Sequence, residues 1–348
     1  MQRSLIAVGD INLMNVVDPS VPFRRIAAPM AAADVRVGNL ECCLYDTPAD
    51  HSLSREGFYA PKSAGPALAS AGFDLLGLAN NVNYGAEAIL SSCAELDRLG
   101  IAHAGAGADL VAAEAPVVIE RDGVRYGFTQ RTSVYWPIGH AATERSPGVA
   151  VLQGNTAYQP LLHRTQPHIP PMNRPGLPPR IITWTEPAAL ARYRTELREL
   201  RSRCDIMVVA HHWGLAEDVL EYQSEIAHAA VDEGADLVIG HGPHYSLAIE
   251  LYRGKPVFYG LGSFAFHTGH GGRKHPDWRG EMAQVTFDGH HVARVAFWVV
   301  RHNEANETEC CPLDGEAATI ERLQHLCDRF GTKLQRDGEQ LVVEEARS

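Results

Sequence analysis

The chain has 348 residues, a net charge of −11 at pH 7, 45% hydrophobic residues and 21% charged residues. This is an ordinary globular composition, and the length fits one large α/β domain or two smaller ones. The acidic balance and the absence of a Lys/Arg run argue against a nucleic-acid or anionic-membrane surface.

The first element is a buried-type strand, Leu5 to Val8, which delivers Gly9-Asp10-Ile11-Asn12. Its apolar run is too short for a signal-peptide core, and no stretch approaches the ~18 apolar residues of a membrane span. A cytoplasmic protein is expected. The seven cysteines include two adjacent pairs, Cys42-Cys43 and Cys310-Cys311, and no C-x-x-C, which suits free thiols in a reducing compartment.

A short helix is expected from Arg24, then a strand over Val35 to Val37 that ends in Gly38-Asn39-Leu40-Glu41. Lys62 to Ala71 reads as a helix stopped by Gly72. Strand Phe73 to Leu78 delivers Asn80-Asn81-Val82-Asn83, and helix Ala86 to Leu99 follows, ended by Gly100. Ile101 to Gly107 reads as strand plus glycine-rich turn. Its glycines lack the spacing of a dinucleotide fingerprint. Val117 to Glu120 and Val124 to Thr129 flank Arg121-Asp122-Gly123 as a hairpin.

Pro137 to Pro179 is rich in Pro, His, Asn and Gly and shows little periodicity. A loop of that length is expected to act as a lid or a binding loop. Glu186 to Cys204 is an amphipathic helix. Strand Ile206 to Ala210 ends in His211-His212-Trp213-Gly214. A helix over Val219 to Gly234 leads to strand Leu237 to Gly240, which ends in His241-Gly242-Pro243-His244. Two further hairpins are expected, Ala248 to Tyr252 with Pro256 to Tyr259, and Gln284 to Phe287 with Val292 to Val300. The tail holds a helix, Ile320 to Phe330, and a short Val342-Val343 piece. Alternating βα units and antiparallel hairpins predict one α/β domain of four layers, an α/β/β/α sandwich over 1–312. Residues 137–179 form its lid insertion, and 313–348 form a C-terminal helical extension.

Carboxylates, amides and imidazoles thus emerge at the ends of apolar strands: Asp10 and Asn12, Glu41, Asn80 and Asn81, His211 and His212, His241, His244. Ligands gather at the carboxyl edge of such sheets. A mixed O/N set of this kind holds one or two divalent ions, with zinc, iron, manganese and calcium as candidates.

The series Gly9-Asp10, Asn39-Leu40-Glu41, Ala79-Asn80-Asn81, His212-Trp213-Gly214 and Gly240-His241-Gly242-Pro243-His244 resembles the CapA/PgsA family of capsule and poly-γ-glutamate synthesis proteins. The likeness runs from about Gly9 to Phe266 and includes Asp236 to His241 and Ile249 to Tyr259. It implies the calcineurin-like metallophosphatase fold. It also implies a ligand set: Asp10, Asn12, Glu41 and His244 around one ion, and Glu41, Asn81, His212 and His241 around a second, with Glu41 bridging. His211 would be structural or supporting. Asp10, His212, His241 and His244 are the catalytic candidates. Arg131, Tyr135, Trp136, Trp213, His267 and Arg273 are substrate-binding candidates by loop position, with Lys274 beside them.

Two departures from the family pattern stand out. Val82 replaces the histidine of Asn-Asn-His, and Gly262-Ser263-Phe264 replaces Gly-Asn-Phe. In phosphoesterases of this fold that histidine assists the leaving group, so His267, His270 and His275 are candidate substitutes. The leading expectation is a metal-dependent enzyme acting on a peptide or polyglutamate-type carboxylate substrate, through metal-bound water or His/Asp acid–base chemistry. Three alternatives stay open: a peptide Cα epimerase resembling lasso-peptide epimerases, a phosphoesterase, and a non-catalytic accessory protein of capsule or polyglutamate synthesis.

Overall fold

A computed structural model describes residues 2–48, 57–160, 162–163, 168, 170, 172–173, 175–269, 274 and 279–346. In chain order the elements that build the site are strands β1 (Gln2–Asn12), β2 (Val35–Leu40) and β3 (Leu75–Gly77), helix α1 (Ala86–Leu99) and strand β4 (Ala102–Ala104). The hairpin β5 (Val117–Arg121) and β6 (Val124–Thr132) opens a second sheet. Helix α2 (Pro187–Arg201), strand β7 (Ile206–His212), helix α3 (Glu221–Asp232) and strand β8 (Leu237–His241) follow. Strands β9 (Ile249–Tyr252) and β10 (Lys255–Phe258) complete that sheet. The chain then returns to the first sheet through β11 (Ser263–Phe266), β12 (Arg279–Asp288) and β13 (His291–His302). Helix α4 (Ala317–Asp328) and the hairpin β14 (Thr332–Asp337) and β15 (Gln340–Glu345) end it.

The larger sheet runs β14-β15-β13-β12-β1-β2-β3-β4, with β11 also paired to β1. The smaller runs β9-β10-β8-β7-β6-β5. Strand parity divides the apolar residues between layers. Leu5 and Ala7 of β1 meet Phe128, Ile206, Val208, Ala210, Leu237 and Ile239 in a core between the sheets. Ile6 and Val8 face the opposite way, into a core shared with Ile89 and Leu96 of α1. Met207, Val209 and Val238 pack outward against Tyr193, Leu197 and Leu200 of α2 and Ile226 of α3. Helices cover both outer faces, giving the expected four layers.

Two regions are richer in strand than the sequence indicated. The 137–179 stretch carries Gly148–Val149, and Gly154–Gln159 pairs antiparallel with Arg180–Thr185. Beyond 313, α4 is followed by the β14–β15 hairpin, and β15 adds to β13 of the large sheet. Neither hairpin has an apolar run longer than Leu341-Val342-Val343, and one face of each is largely exposed, so hydrophobic pattern is a weak signal for them. Of the proposed replacements for the missing histidine, His270 and His275 lie outside the described residues, as does Arg273.

Candidate metal centre

β1 occupies the middle of the large sheet and changes neighbour at Gly9. Its residues 2–8 pair antiparallel with β12, and from Asp10 it pairs parallel with β11. A Cβ at Gly9 would stand 1.9 Å from the Gly262 carbonyl oxygen, so the close approach admits no larger residue. The Asp10 amide donates to that same carbonyl at 2.9 Å, which fixes the Asp10 backbone. Glu41 follows the end of β2, the adjacent parallel strand. Its amide donates to the Ile11 carbonyl at 2.7 Å. His212 and His241 are register partners at the ends of β7 and β8. His244 sits in the next turn with φ at +63°, a conformation costly for a non-glycine residue and common at functional sites.

One ligand atom each from Asp10, Glu41 and His244 lies within 4.8 Å of the others. His244 Nδ1 is 3.1 Å from Asp10 Oδ2, and its Nε2 is 3.5 Å from Glu41 Oε1. His241 Nδ1 is 3.3 Å from Asp10 Oδ1, and His212 Nε2 is 4.0 Å from Glu41 Oε1. Both carboxylates are essentially inaccessible to solvent.

The electrostatics separate the two acids. Burial opposes the Asp10 charge, but His241 and His244 overcome it and hold this carboxyl well below the usual range. Burial and the neighbouring Asp10 push Glu41 well above it. Burial lowers the His212 pKa to about 3, so the ring is neutral. The Thr132 hydroxyl donates to the Val134 carbonyl at 2.8 Å, leaving its oxygen to accept from His212 Nδ1 at 3.2 Å. That contact turns the Nε2 lone pair toward Glu41, the arrangement metal-binding histidines use.

Buried polar atoms in this cluster lack hydrogen-bond partners. Both ring nitrogens of His241, and Nε2 of His212, are buried without one among the described residues. Such groups carry a desolvation cost unless something outside the chain satisfies them. A neutral His212 imidazole, paired carboxylates and unsatisfied ring nitrogens together fit a divalent cation of the zinc, iron or manganese type.

Asn39 is a working part of this site that strand pattern alone left unmarked. Its Nδ2 donates to Asp10 Oδ1 at 2.9 Å and to Glu41 Oε2 at 3.3 Å. Its oxygen accepts from Gln130 Nε2 at 3.0 Å and Asn80 Nδ2 at 3.2 Å, so the amide cannot flip. Gln130 belongs to β6, and its parity with Phe128 is the one sequence signal that it faces the other sheet. His140, in the expected lid, is also buried. Its Nε2 lies 2.9 Å from the Asn83 carbonyl, its Nδ1 accepts from the Trp136 amide, and burial lowers its pKa to about 4.

Several expected roles need correction. The Asn12 side chain is committed elsewhere: Nδ2 donates to the Thr268 carbonyl and Oδ1 accepts from the Met14 amide, both at 2.9 Å. These bonds brace the loop that follows β1. Asn80 Nδ2 donates to the Asn39 oxygen at 3.2 Å and to the Leu40 carbonyl at 2.9 Å. The Asn81 backbone carbonyl accepts from Trp136 Nε1 at 3.0 Å. Arg131 points away from the site because it has the parity of Thr129, not of Gln130. It is buried against α2 and pairs with Glu196 at 2.7 Å. Trp213 is likewise buried on the outer side, donating to the Tyr259 carbonyl and packed on His211 with ring centroids 4.8 Å apart. His211 bonds Ser133 Oγ at 2.9 Å and is structural, as the resemblance implied. Val82 is buried in the helix-side core, so no imidazole stands at that position. Tyr135 is half-buried and Trp136 is 41% exposed at the rim. His267 is half-buried at the end of β11, beside the end of β1.

A family model described as bacterial capsule synthesis protein PGA_cap matches residues 4–268. The chain belongs to this family. It is similar to the Sinorhizobium fredii protein y4sH, 26% identical over 308 residues, covering 76% of this chain and 66% of that one. It is also similar to the capsule biosynthesis protein CapA of Bacillus anthracis, 24% identical over 280 residues, covering 76% of this chain and 60% of the relative. The chain thus spans about two thirds or less of the length of these curated relatives. Among solved structures, a Mycoplasma pneumoniae phosphatase superposes with a TM-score of 0.51 at 11% identity, over 92% of this chain and 99% of the other. That likeness establishes the metallophosphatase-like α/β fold for this PGA_cap protein. No described helix is long and apolar enough to cross a membrane.

Proposed function

We propose that this PGA_cap protein is a metal-dependent enzyme that acts on a peptide or polyglutamate-type substrate bearing carboxylates. The observation that carries the reading is the convergence of Asp10, Glu41 and His244 within 4.8 Å, beside buried imidazole nitrogens that have no hydrogen-bond partner among the described residues. Asp10, Glu41 and His244 would hold the ion, with His241 and His212 adjoining it. A bound divalent cation would supply Lewis acidity and a water of lowered pKa. Around it, Asn39 holds the two carboxylates at a fixed spacing, and Thr132 fixes the His212 tautomer. His244 is the partly exposed member of the set and meets the substrate side.

Val82 argues against phosphomonoester hydrolysis as the main reaction, because an apolar side chain there offers no proton to a leaving group. A carboxylate-bearing substrate is consistent with the chain's resemblance to poly-γ-glutamate synthesis proteins. Elemental analysis of the purified chain, with Glu41→Ala and His244→Ala beside it, tests the metal. At least one transition ion per wild-type chain, lost in both variants, is expected. γ-Glutamyl oligomers are then assayed for hydrolysis, and for deuterium uptake at Cα in heavy water. A wild-type chain that takes up neither manganese nor zinc would sink the enzyme reading and favour an accessory role.

A further inference from the structure

A cavity of about 180 Å³ opens beside His244. It is lined by His244, Tyr245 and Ser246, by Arg279, Thr319 and Arg322, and by Glu217. At ~30 Å³ per water, the space holds a group about the size of a small amino acid. The far wall comes from β12 and α4, beyond the residues that match the family model.

The charges in this wall are unevenly matched. Arg279 Nε bonds both oxygens of the largely buried Glu316 at 3.0 Å. Arg322 Nη2 donates to a neutral acceptor, the Ser246 carbonyl, at 2.9 Å. Its carboxylate neighbour is Glu217, 3.4 Å away with a side chain 55% exposed. An exposed pair at that distance is weak and readily exchanged. Glu281, behind Ser246, is fully buried, and burial raises its pKa to about 8 against the pull of Arg322. It is largely protonated at neutral pH, so the exposed Glu217 is the carboxylate that faces the guanidinium.

We infer that this cavity is a carboxylate-binding subsite, in which Arg322 displaces Glu217 to take the anionic group of a substrate whose reacting end lies at Asp10, Glu41 and His244. The inference rests on the function proposed above and specifies its substrate. A planar guanidinium receives a carboxylate through two parallel hydrogen bonds, which neither a lysine nor a neutral side chain reproduces. Ser246, which Arg322 grips, is two residues beyond His244, so at most ~7 Å of chain separates their Cα atoms. The subsite therefore selects substrates with a carboxylate a few bonds from the reacting group, as in a glutamyl residue.

Calorimetric titration of the full, manganese-loaded chain with γ-glutamyl-glutamate and with its fully amidated analogue tests this. The acid is expected to bind roughly tenfold tighter than the amide or better. Arg322→Gln should abolish that preference without changing manganese per chain, and Arg322→Lys should restore only part of it. Glu217→Gln should tighten the acid and leave the amide unchanged. An unchanged acid-to-amide ratio in Arg322→Gln overturns the subsite, and so does a wild type that does not discriminate. If Arg322→Gln does not fold, Glu217→Gln decides: tightening for the acid alone supports the subsite, and no change overturns it. A wild type that prefers the acid but holds no manganese supports the subsite and refutes the metal reading.

Discussion

At the residue scale, the centre is a pair of acids whose environments push them apart. Burial and the neighbouring Asp10 raise the pKa of Glu41, so an incoming ion competes with a proton there. Apparent manganese affinity should therefore rise with pH, by roughly tenfold per unit while one proton is exchanged. Titration in buffers of different ionisation enthalpy reads that proton directly. Glu281 gives a second pH signature. Its folded pKa of about 8 lies above the ordinary value of 4.5, so between these limits the folded chain binds a proton that the unfolded chain has released. Stability is thus present at low pH and falls as pH rises through 8. Glu281→Gln should be more stable than wild type at pH 8, on the order of 2–4 kcal/mol, and no more stable near pH 4. Thermal melts at the two pH values check this; parallel curves would count against it. Asp10, Glu41, His212, His241 and His244 were legible because each ends an apolar strand in a familiar order. Asn39 and Gln130 were not, because a buried amide looks like any polar residue until its partners are known.

At the element scale, parity decides what a strand residue can do. β6 delivers Gln130 to the inter-sheet side and Arg131 to the α2 side, and reading the alternation through Phe128 would have assigned both. Arg131 serves stability. Glu196→Ala should leave a buried guanidinium short of a partner and cost about 1–3 kcal/mol, with metal content unchanged. A urea titration with metal analysis separates this from a substrate role. Gly9→Ala is the opposite case. The added methyl meets the Gly262 carbonyl, so β1 and β11 must part where Asp10 begins. Loss of stability together with weakened metal binding is expected, by at least tenfold in affinity if the strand shifts by even a few tenths of an ångström. Strands with a continuous apolar run were readable. The hairpin of 154–159 with 180–185 was not, and of the last hairpin only Val342-Val343 was, since each buries one face at most.

At the scale of the whole molecule, the site is a seam. Asp10 and Glu41 come from the large sheet, and His212, His241 and His244 from the small one. Gln130 ties the two across the gap. The last strands belong to the same structure. Leu323 and Cys327 of α4, with Leu341 and Val343 of β15, are buried in the inter-sheet core. Deleting residues after 312 should therefore abolish cooperative unfolding rather than yield a smaller stable domain, which circular dichroism of the truncated chain would show. The position of β1 has a further consequence for the order of events during synthesis. β1 needs β12, ending at Asp288, as its antiparallel neighbour. Its catalytic-edge half waits for Ser263 to Phe266. Pairings so distant in sequence are slow to form. The acidic half of the centre is thus translated some 170 residues before the first of its imidazoles, from Glu41 to His212. Until His212 has been made, a nascent chain offers a cation only the paired carboxylates of this centre, and the nitrogen ligands that favour transition metals over magnesium or calcium arrive later. Selection of the ion therefore waits for the strands of the second sheet.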